Sequence, residues 1–394
     1  MEQSFIANLL LAIVIARLVA HVLRKLNVPP IASYMLVGIA LGPSLLGLFN
    51  SRWSGSESLV TLSLLFLLFY AGLNVDFRGF KEYFADAIVL TLSGVSITVI
   101  AVMITLMSLG YNTLAALVIA ISLSNTATEI VVLMLEESGF NDYLFRRVVI
   151  AASFFDDVLA VIMISIIRGG IILRGTVVPS LLKFLIAFSV VTVVSLISVK
   201  YLSRQLYSII IKWNNLLMLA TTLFFGLSYI FDILGIGATL GAYLAGLVIS
   251  MLRTIKDPTL VYIVRVEELV SRVSTLLEFF IIPVFFIYVG CRTSISLMTS
   301  PIVLTLLILA IVGKFIGSSI PFMIKHDVKR GLLIGIAMNV RGSLEPAVAL
   351  IALEAGIIDV KLFDAVVTVS LFTSLLIPIL FANVSRRFKL RSIT

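Results

Sequence analysis

Apolar runs of about twenty residues follow one another along the chain with only short polar gaps, and a helix of that length crosses the hydrocarbon core of a bilayer. Segmentation on these runs predicts about thirteen spans. They centre on Ile13, Gly38, Leu65, Gly94, Asn125, Asp156, Thr192, Phe224, Gly241, Ile281, Val312, Arg341 and Ser370. The first run, Phe5 to Leu23, contains Arg17 and has no small-residue cleavage site after it, so it reads as a retained helix. The pattern predicts an all-α polytopic membrane protein, a single membrane domain over 1–394 with no separate soluble domain.

Composition agrees. Of the 394 residues, 60% are hydrophobic and 13% charged, and mean hydropathy is +1.18. The single cysteine, Cys291, excludes disulfides within the chain and any cysteine-rich metal site. A net charge of +8 would suggest nucleic acid in a soluble protein; here the positive-inside rule explains it, and no nucleic-acid partner is expected. With the N-terminus outside, 20 of the 29 Lys and Arg fall in inner loops and 5 in outer ones (Arg52, Arg168, Arg174, Arg292 and Lys361). Arg17, Lys183, Lys314 and Arg341 lie within spans. This asymmetry places the C-terminus in the cytoplasm and supports the alternation of spans.

Two pairs of spans resemble each other. SYMLVGIALGPSLLG of the second shares small-residue spacing with GATLGAYLAGLVIS of the ninth. LFLLFYAGLNVDF of the third and IPVFFIYVGCRTSI of the tenth both carry an aromatic run ending at Gly. Both pairs are seven spans apart, and an odd offset reverses the direction of crossing. The expected organisation is therefore two inverted six-helix repeats, 1–175 and 206–394, joined by a linker helix at 176–205.

An ionised residue at the bilayer centre costs roughly 2.5–3.5 kcal/mol on insertion scales, so each needs a partner or a purpose. Asp156 and Asp157 fall in mid-span, as do Glu129, Lys314, Arg341 and Glu345. Adjacent acids on a helix point about 100° apart, so they line one cavity without facing each other. Close, buried carboxylates of this kind can hold protons and surrender them to a metal cation, which is the requirement for exchange. Na⁺ and Li⁺ want several hard oxygen ligands, which carboxylates, hydroxyls and freed carbonyls supply. Ser153, on the same face, can add a hydroxyl. The stretch from Ser122 through Asn125, Thr126 and Thr128, and that from Asn339 through Arg341, Gly342 and Ser343 to Pro346, are poor in stable helical bonding and predict interrupted helices. Lys314, between Gly313 and Gly317, is expected to pair with Asp156 or Asp157, either as a proton carrier or as a structural counter-ion. Arg341 is expected to pair with Glu129 or Glu345, and Glu129 is also a candidate cation ligand. Arg17, His21 and Lys183 are expected to snorkel or face an interface.

Taken in order, LGPSLLG, LLFYAGLNVDF, SNTATEIVVLMLEESGF, FFDDVLAV, LGAYLAGLVIS, IPVFFIYVG, GKFIG and MNVRGSLE resemble the monovalent cation:proton antiporter superfamily, in its branch with paired aspartates. The resemblance covers nearly the whole chain. It implies the sodium/proton antiporter fold with crossed broken helices, and a lipid-embedded homodimer in which a six-helix core moves against a dimer scaffold. It also implies that Asp157 is the principal cation and proton carboxylate, Asp156 its neighbour paired to Lys314, and Thr126 part of the unwound crossing. Exchange of Na⁺ or Li⁺ for H⁺ would be electrogenic in that branch, driven by gradients, with no ATP site or redox cofactor. Two residues depart from the family pattern: Ser343 stands where an acid is frequent, with Glu345 two positions on, and Glu129 is an added acid.

Three other classes remain beside this one. A K⁺/H⁺ antiporter of the same superfamily often carries a long cytosolic tail, whereas this sequence ends about ten residues after its last span. An intramembrane aspartyl protease needs carboxylates facing each other from separate helices, which adjacent acids do not provide. A non-transporting sensor or channel would show no obligatory exchange. The expected activity is secondary transport and not enzymatic.

Overall fold

The computed structural model describes residues 2–24, 28–48, 56–75, 80–138, 140, 142–173, 216–234, 237–254, 260–295, 300–325, 327–342 and 344–388. The helices in these residues are α1 (Glu2–Arg24), α2 (Pro30–Leu41), α3 (Ser56–Leu73), α4 (Phe80–Ser108), α5 (Thr113–Ser122), α6 (Thr128–Glu137), α7 (Tyr143–Leu173) and α8 (Leu216–Ile233). They continue with α9 (Ala238–Ser250), α10 (Val261–Leu276), α11 (Ile282–Arg292), α12 (Pro301–Lys325), α13 (Val328–Ala337), α14 (Leu344–Glu354) and α15 (Val360–Phe388). Among the described residues, a helix lies at every predicted span centre except Asn125 and Arg341. Asn125 and Arg341 fall in the gaps between α5 and α6 and between α13 and α14. The predicted span at Thr192, the linker 176–205, Lys183 and Ser343 lie outside the described residues.

Local chemistry starts several of these helices. Pro30 at the first position of α2 lacks only an N–H that would have no helical partner there. Asn112 caps α5 by accepting from Ala115 N at 2.7 Å. Asp142 caps α7 through Phe145 N (3.0 Å), and Asp359 caps α15 through Leu362 N (2.9 Å). Among the described residues, six helical stretches are long and apolar enough to cross a membrane: Ala7–Arg24, Tyr83–Ser108, Leu216–Ile233, Val261–Arg292, Pro301–Lys325 and Val360–Phe388. The fourth of these joins α10 to α11 through a π-helical turn at Leu277–Ile281.

The chain divides into two compact units. The first comprises 1–56, 81–160 and 283–394, the second 57–80 and 161–282. In the first, α12 shows what solvent the fold is built for. Between Ile308 and Ile320 its inward positions are Ala310, Gly313, Lys314, Gly317, Ser318 and Ser319, while Ile308, Val312, Ile316 and Ile320 face outward. Small and polar inside with large and apolar outside is the arrangement lipid selects, because lipid does not penalise the exposed side chains and the interior must satisfy the polar ones. In the same unit α2 crosses α11 main chain on main chain. A Cβ on Gly38 would strike the Ile287 carbonyl, and one on Gly290 the Met35 carbonyl. Cys291 is buried beside this crossing, its thiol donating to Gly38 O at 3.2 Å. Ser44 donates to Thr293 O at 2.6 Å just beyond it.

Inside the second unit α3 crosses α9 in the same manner. A Cβ on Gly72 would strike the Tyr243 carbonyl, and one on Gly246 the Phe69 carbonyl. Arg253, following α9 and buried, donates to Leu73 O (2.6 Å) and Val75 O (3.3 Å) at the end of α3, with Glu267 at 3.0 Å. Phe224 of α8 packs against Phe66 and Phe69 of α3.

Candidate functional site: two helix breaks and an aspartate pair

All the residues predicted for the site lie in the first unit. Helices α5 and α6 are interrupted over 123–127 and α13 and α14 over 338–342 of the described residues, and the two breaks cross. Ala127 N donates to Val340 O at 2.9 Å, and Thr126 Oγ1 to Met338 O at 2.8 Å. A Cβ on Gly342 would come within 2.5 Å of Ala127 Cβ and 3.1 Å of Glu129 Oε1, so glycine lets the breaks touch. Pro346, expected to help break its span, sits instead in the first turn of α14, where its missing N–H costs nothing. The break is held by other groups: Glu345 Oε2 accepts from Gly342 N (2.9 Å), Ser122 donates to Glu345 O (3.0 Å) and Ser370 to Gly342 O (3.0 Å).

A broken helix leaves carbonyls bare at the end of one half and N–H groups bare at the start of the next, with opposite partial charges. At the first break, cations meet the carbonyls. Lys314 Nζ donates to Ser124 O at 2.7 Å, and Arg341 to Asn125 O and, at 3.2 Å, to Ala310 O. The start of α6, which has no side-chain cap of its own, faces Asp157, whose Oδ2 accepts from Thr128 Oγ1 at 2.8 Å. Arg341 thus spends its hydrogen bonds on main-chain carbonyls rather than on the expected Glu129 or Glu345. Asn125 O is left bare by the break, and Glu345 is turned to Gly342 N of its own segment. Glu129 stands exposed in the first turn of α6.

Asp156 meets Lys314 at 2.6 Å, and both side chains are fully buried. A buried pair of this kind needs good geometry and extra hydrogen bonds to offset desolvation, and the Ser124 carbonyl supplies one. The other oxygen of Asp156 has no partner, and neither do Asn125 Oδ1 and Asn339 Oδ1 on the two breaks. Buried bare oxygens are the groups a hard cation would occupy. Ser153 turns its hydroxyl hydrogen back to Val149 O (2.7 Å), leaving its oxygen as an acceptor. The stem of Lys314 lies against α4 at Gly94, and Gly94 meets Gly317. Toward the basic ends of the helices, Asp142 pairs with Arg330 at 2.8 Å and Asp86 with Lys325. Arg17 and His21 are exposed on α1.

Ser124 and Thr128 lie in the stretch expected to supply freed carbonyls, and the structure pairs the Ser124 carbonyl with Lys314 and the Thr128 hydroxyl with Asp157. Thr128 lies in the predicted hydroxyl-rich stretch, but only the crossing determines which hydroxyl meets the aspartate.

An all-helical bundle with crossed helix breaks around buried, opposed charges defines an ion transporter. The profile of the family described as "Sodium/hydrogen exchanger, transmembrane" matches residues 10–385, and the chain belongs to that family. It is 25% identical to the Na(+)/H(+) antiporter of Enterococcus hirae, over 96% of this chain and 97% of the relative. It is also 25% identical to the Na(+)/H(+)-K(+) antiporter GerN of Bacillus cereus, over 96% and 95%. The solved structure of the sodium proton antiporter MjNhaP1 of Methanocaldococcus jannaschii superposes with a TM-score of 0.69 at 18% identity, covering 97% of each chain, so the fold is shared. The protein is a secondary transporter of that family and not an enzyme.

Proposed function

We propose that this protein exchanges Na⁺ or Li⁺ for protons across the cell membrane by alternating access, with cation and protons competing for Asp156 and Asp157. The observation that carries the reading is the buried Lys314–Asp156 pair beside Asp157, with an unpartnered Asp156 oxygen at the crossing of two broken helices. In the cation-free state Lys314 neutralises Asp156. An arriving Na⁺ takes the carboxylate oxygens, with Thr128, Thr126, Ser153 and the bare amide oxygens of Asn125 and Asn339 as neutral donors, and Glu129 as a further acid. With its pair to Asp156 broken, Lys314 gives up a proton, and its neutral amine keeps its N–H bond to the Ser124 carbonyl.

Two acids answering one monovalent ion support an electrogenic cycle, in which each net charge moved gains about 2.3 kcal/mol per 100 mV of membrane potential. Lys314 acts as a proton carrier in this scheme; Arg341 and Glu345 compensate charge and hold the breaks. The loop charges support an outer N-terminus and a cytoplasmic C-terminus. The family resemblance supports a homodimer, the two inverted repeats and their linker, with membrane lipid as the surrounding partner and no cofactor. The matched main-chain crossings of α2 on α11 and α3 on α9 are the contacts that exchange of inverted repeats would generate.

The name of the Bacillus cereus relative favours one second reading, that K⁺ is also carried. Cation-dependent proton flux in proteoliposomes tests both, with Na⁺, Li⁺ and K⁺ added in turn to wild type, Asp157→Asn and Asp156→Asn. Na⁺- or Li⁺-evoked flux that disappears in Asp157→Asn is expected. Flux with K⁺ alone would replace the cation, and no flux from folded protein with any ion would sink exchange altogether.

A further inference from the structure

Asp364 is a fully buried carboxylate in the first unit that the exchange cycle above does not use. It lies in the second turn of α15, four residues from the start of the helix at Val360, or about 6 Å at 1.5 Å per residue. Ser370, whose hydroxyl touches Gly342 O at the second break, is six residues further along. One Asp364 oxygen accepts from Ser294 N at 3.1 Å, just beyond α11. The other is buried with no partner. One helical turn onward on the same face, the Thr368 hydroxyl is also buried and has no partner.

Among the described residues, no counter-ion meets Asp364. Arg292, at the end of α11, lays its guanidinium over the Tyr288 ring, 5.5 Å from the centroid. Lys361, on α15 itself, is exposed. Asp359 is the charge that acts on Asp364 through space, and it is of like sign. Asp359 caps α15 and receives the Tyr111 hydroxyl at 3.5 Å; partial burial and Asp359 hold that phenol above its ordinary range, so it stays neutral. Helix α2 contributes Tyr34 and no charge, and α5 contributes no titratable side chain. The charges of the other elements against α15 are engaged elsewhere or lie in other turns. Lys314 of α12 and Glu345 of α14 are held at the crossing; Lys325 of α12 and Arg330 of α13 sit in ion pairs at the opposite end. Lys329 of α13 lies in that same opposite turn, Glu354 closes α14, and Glu129 and Glu136 of α6 are exposed.

An ionised carboxylate with one hydrogen bond, no counter-ion and a like charge nearby is the arrangement a buried site cannot sustain without gaining a positive charge. Na⁺ would need several oxygens, and this pocket offers two bare ones. A proton needs one. We propose that Asp364 is a second proton-binding site, separate from Asp156/Asp157, at the end of α15 opposite Arg386 and Arg387. In this structure the bare Asp364 oxygen and the Thr368 hydroxyl are not bonded to each other; protonation removes the unanswered charge, and a change of rotamer would let the carboxyl donate to Thr368, one turn away on the same face. In the orientation proposed above this is the outer end of the helix, and the site gives the antiporter a proton exchange point on that side. The inference rests on the antiport reading for its role but not for its existence.

The test is infrared spectroscopy of the full-length protein over a pH series. Wild type and Asp156→Asn/Asp157→Asn are both expected to show a carboxylic-acid C=O band that is lost in Asp364→Asn. Asn keeps an acceptor for Ser294 N, so the fold and thermal midpoint should be retained. Thr368→Val, which removes the acceptor of the acid proton, should move the band to higher frequency, and this reads the site even if Asp364→Asn fails to fold. In proteoliposomes the pH profile of Na⁺-evoked flux should lose one inflection in Asp364→Asn. Identical bands and identical profiles in wild type and both Asp364-site variants would overturn the proposal and leave Asp364 as a structural acceptor. Absence of Na⁺-evoked flux in wild type would remove the antiport reading while the infrared band still decided whether Asp364 holds a proton.

Discussion

The two helix breaks have the same shape and opposite electrical design. At the first, between α5 and α6, compensation comes from other helices and is charged: Lys314 and Arg341 on the carbonyl side, Asp157 at the start of α6. At the second, between α13 and α14, no Lys or Arg is used: Glu345 caps its own break, and hydroxyls of neighbouring elements, Thr126, Ser122 and Ser370, donate to its carbonyls. The second break even directs its own cation, Arg341, to the first. Charged compensation from a neighbouring helix can be released when an ion arrives, whereas a self-contained cap has nothing to exchange. The first break is therefore the responsive one and the second the frame that holds it.

Substitutions can break or sharpen this contrast. Lys314→Met should have the largest effect, about 3–5 kcal/mol in thermal unfolding of solubilised protein, because it strands a buried carboxylate. Asp156→Asn/Lys314→Met should recover most of that loss; a double variant no more stable than the single one would show that the two residues are not coupled. Arg341→Met should cost about 1–3 kcal/mol for each carbonyl left bare, and the protein that still folds should show a shifted Na⁺ half-saturation, because Arg341 answers the first break. An unchanged half-saturation there would erase the distinction between frame and responsive break. Gly342→Ala should cost about 1–3 kcal/mol through contact with Ala127, and Ala127→Gly in the same chain should restore it, as measured by melting midpoint. Thr128→Val should have the smallest effect on stability, with little change in melting but about a tenfold higher Na⁺ half-saturation in flux assays, the worth of one hydrogen bond to a charged group.

The sequence showed the positions of both breaks, because hydroxyls, asparagines and glycine in mid-membrane are poor helix formers, and it also showed the acid pair and Lys314, because an ionised group in lipid demands a partner. It did not show where Arg341 points. Side-chain pairing was the natural expectation from composition, but the orphan carbonyls of a broken helix are created by the fold and have no letter in the sequence. Pro346 misled for a related reason: its effect depends on whether it falls in the interior or the first turn of a helix. Asp364 lies four residues inside a span that otherwise reads as apolar, and only its burial and its unpartnered oxygen set it apart.

The sealed thiol at the α2–α11 crossing matters to the experimenter. Cys291 is the only cysteine in the chain, buried, with its proton directed at Gly38 O. The native protein therefore presents a silent background to thiol-reactive dyes and spin labels. Cysteines introduced at exposed helix ends can be tagged one or two at a time in the otherwise unaltered chain, and distances followed through the transport cycle without first engineering the background away.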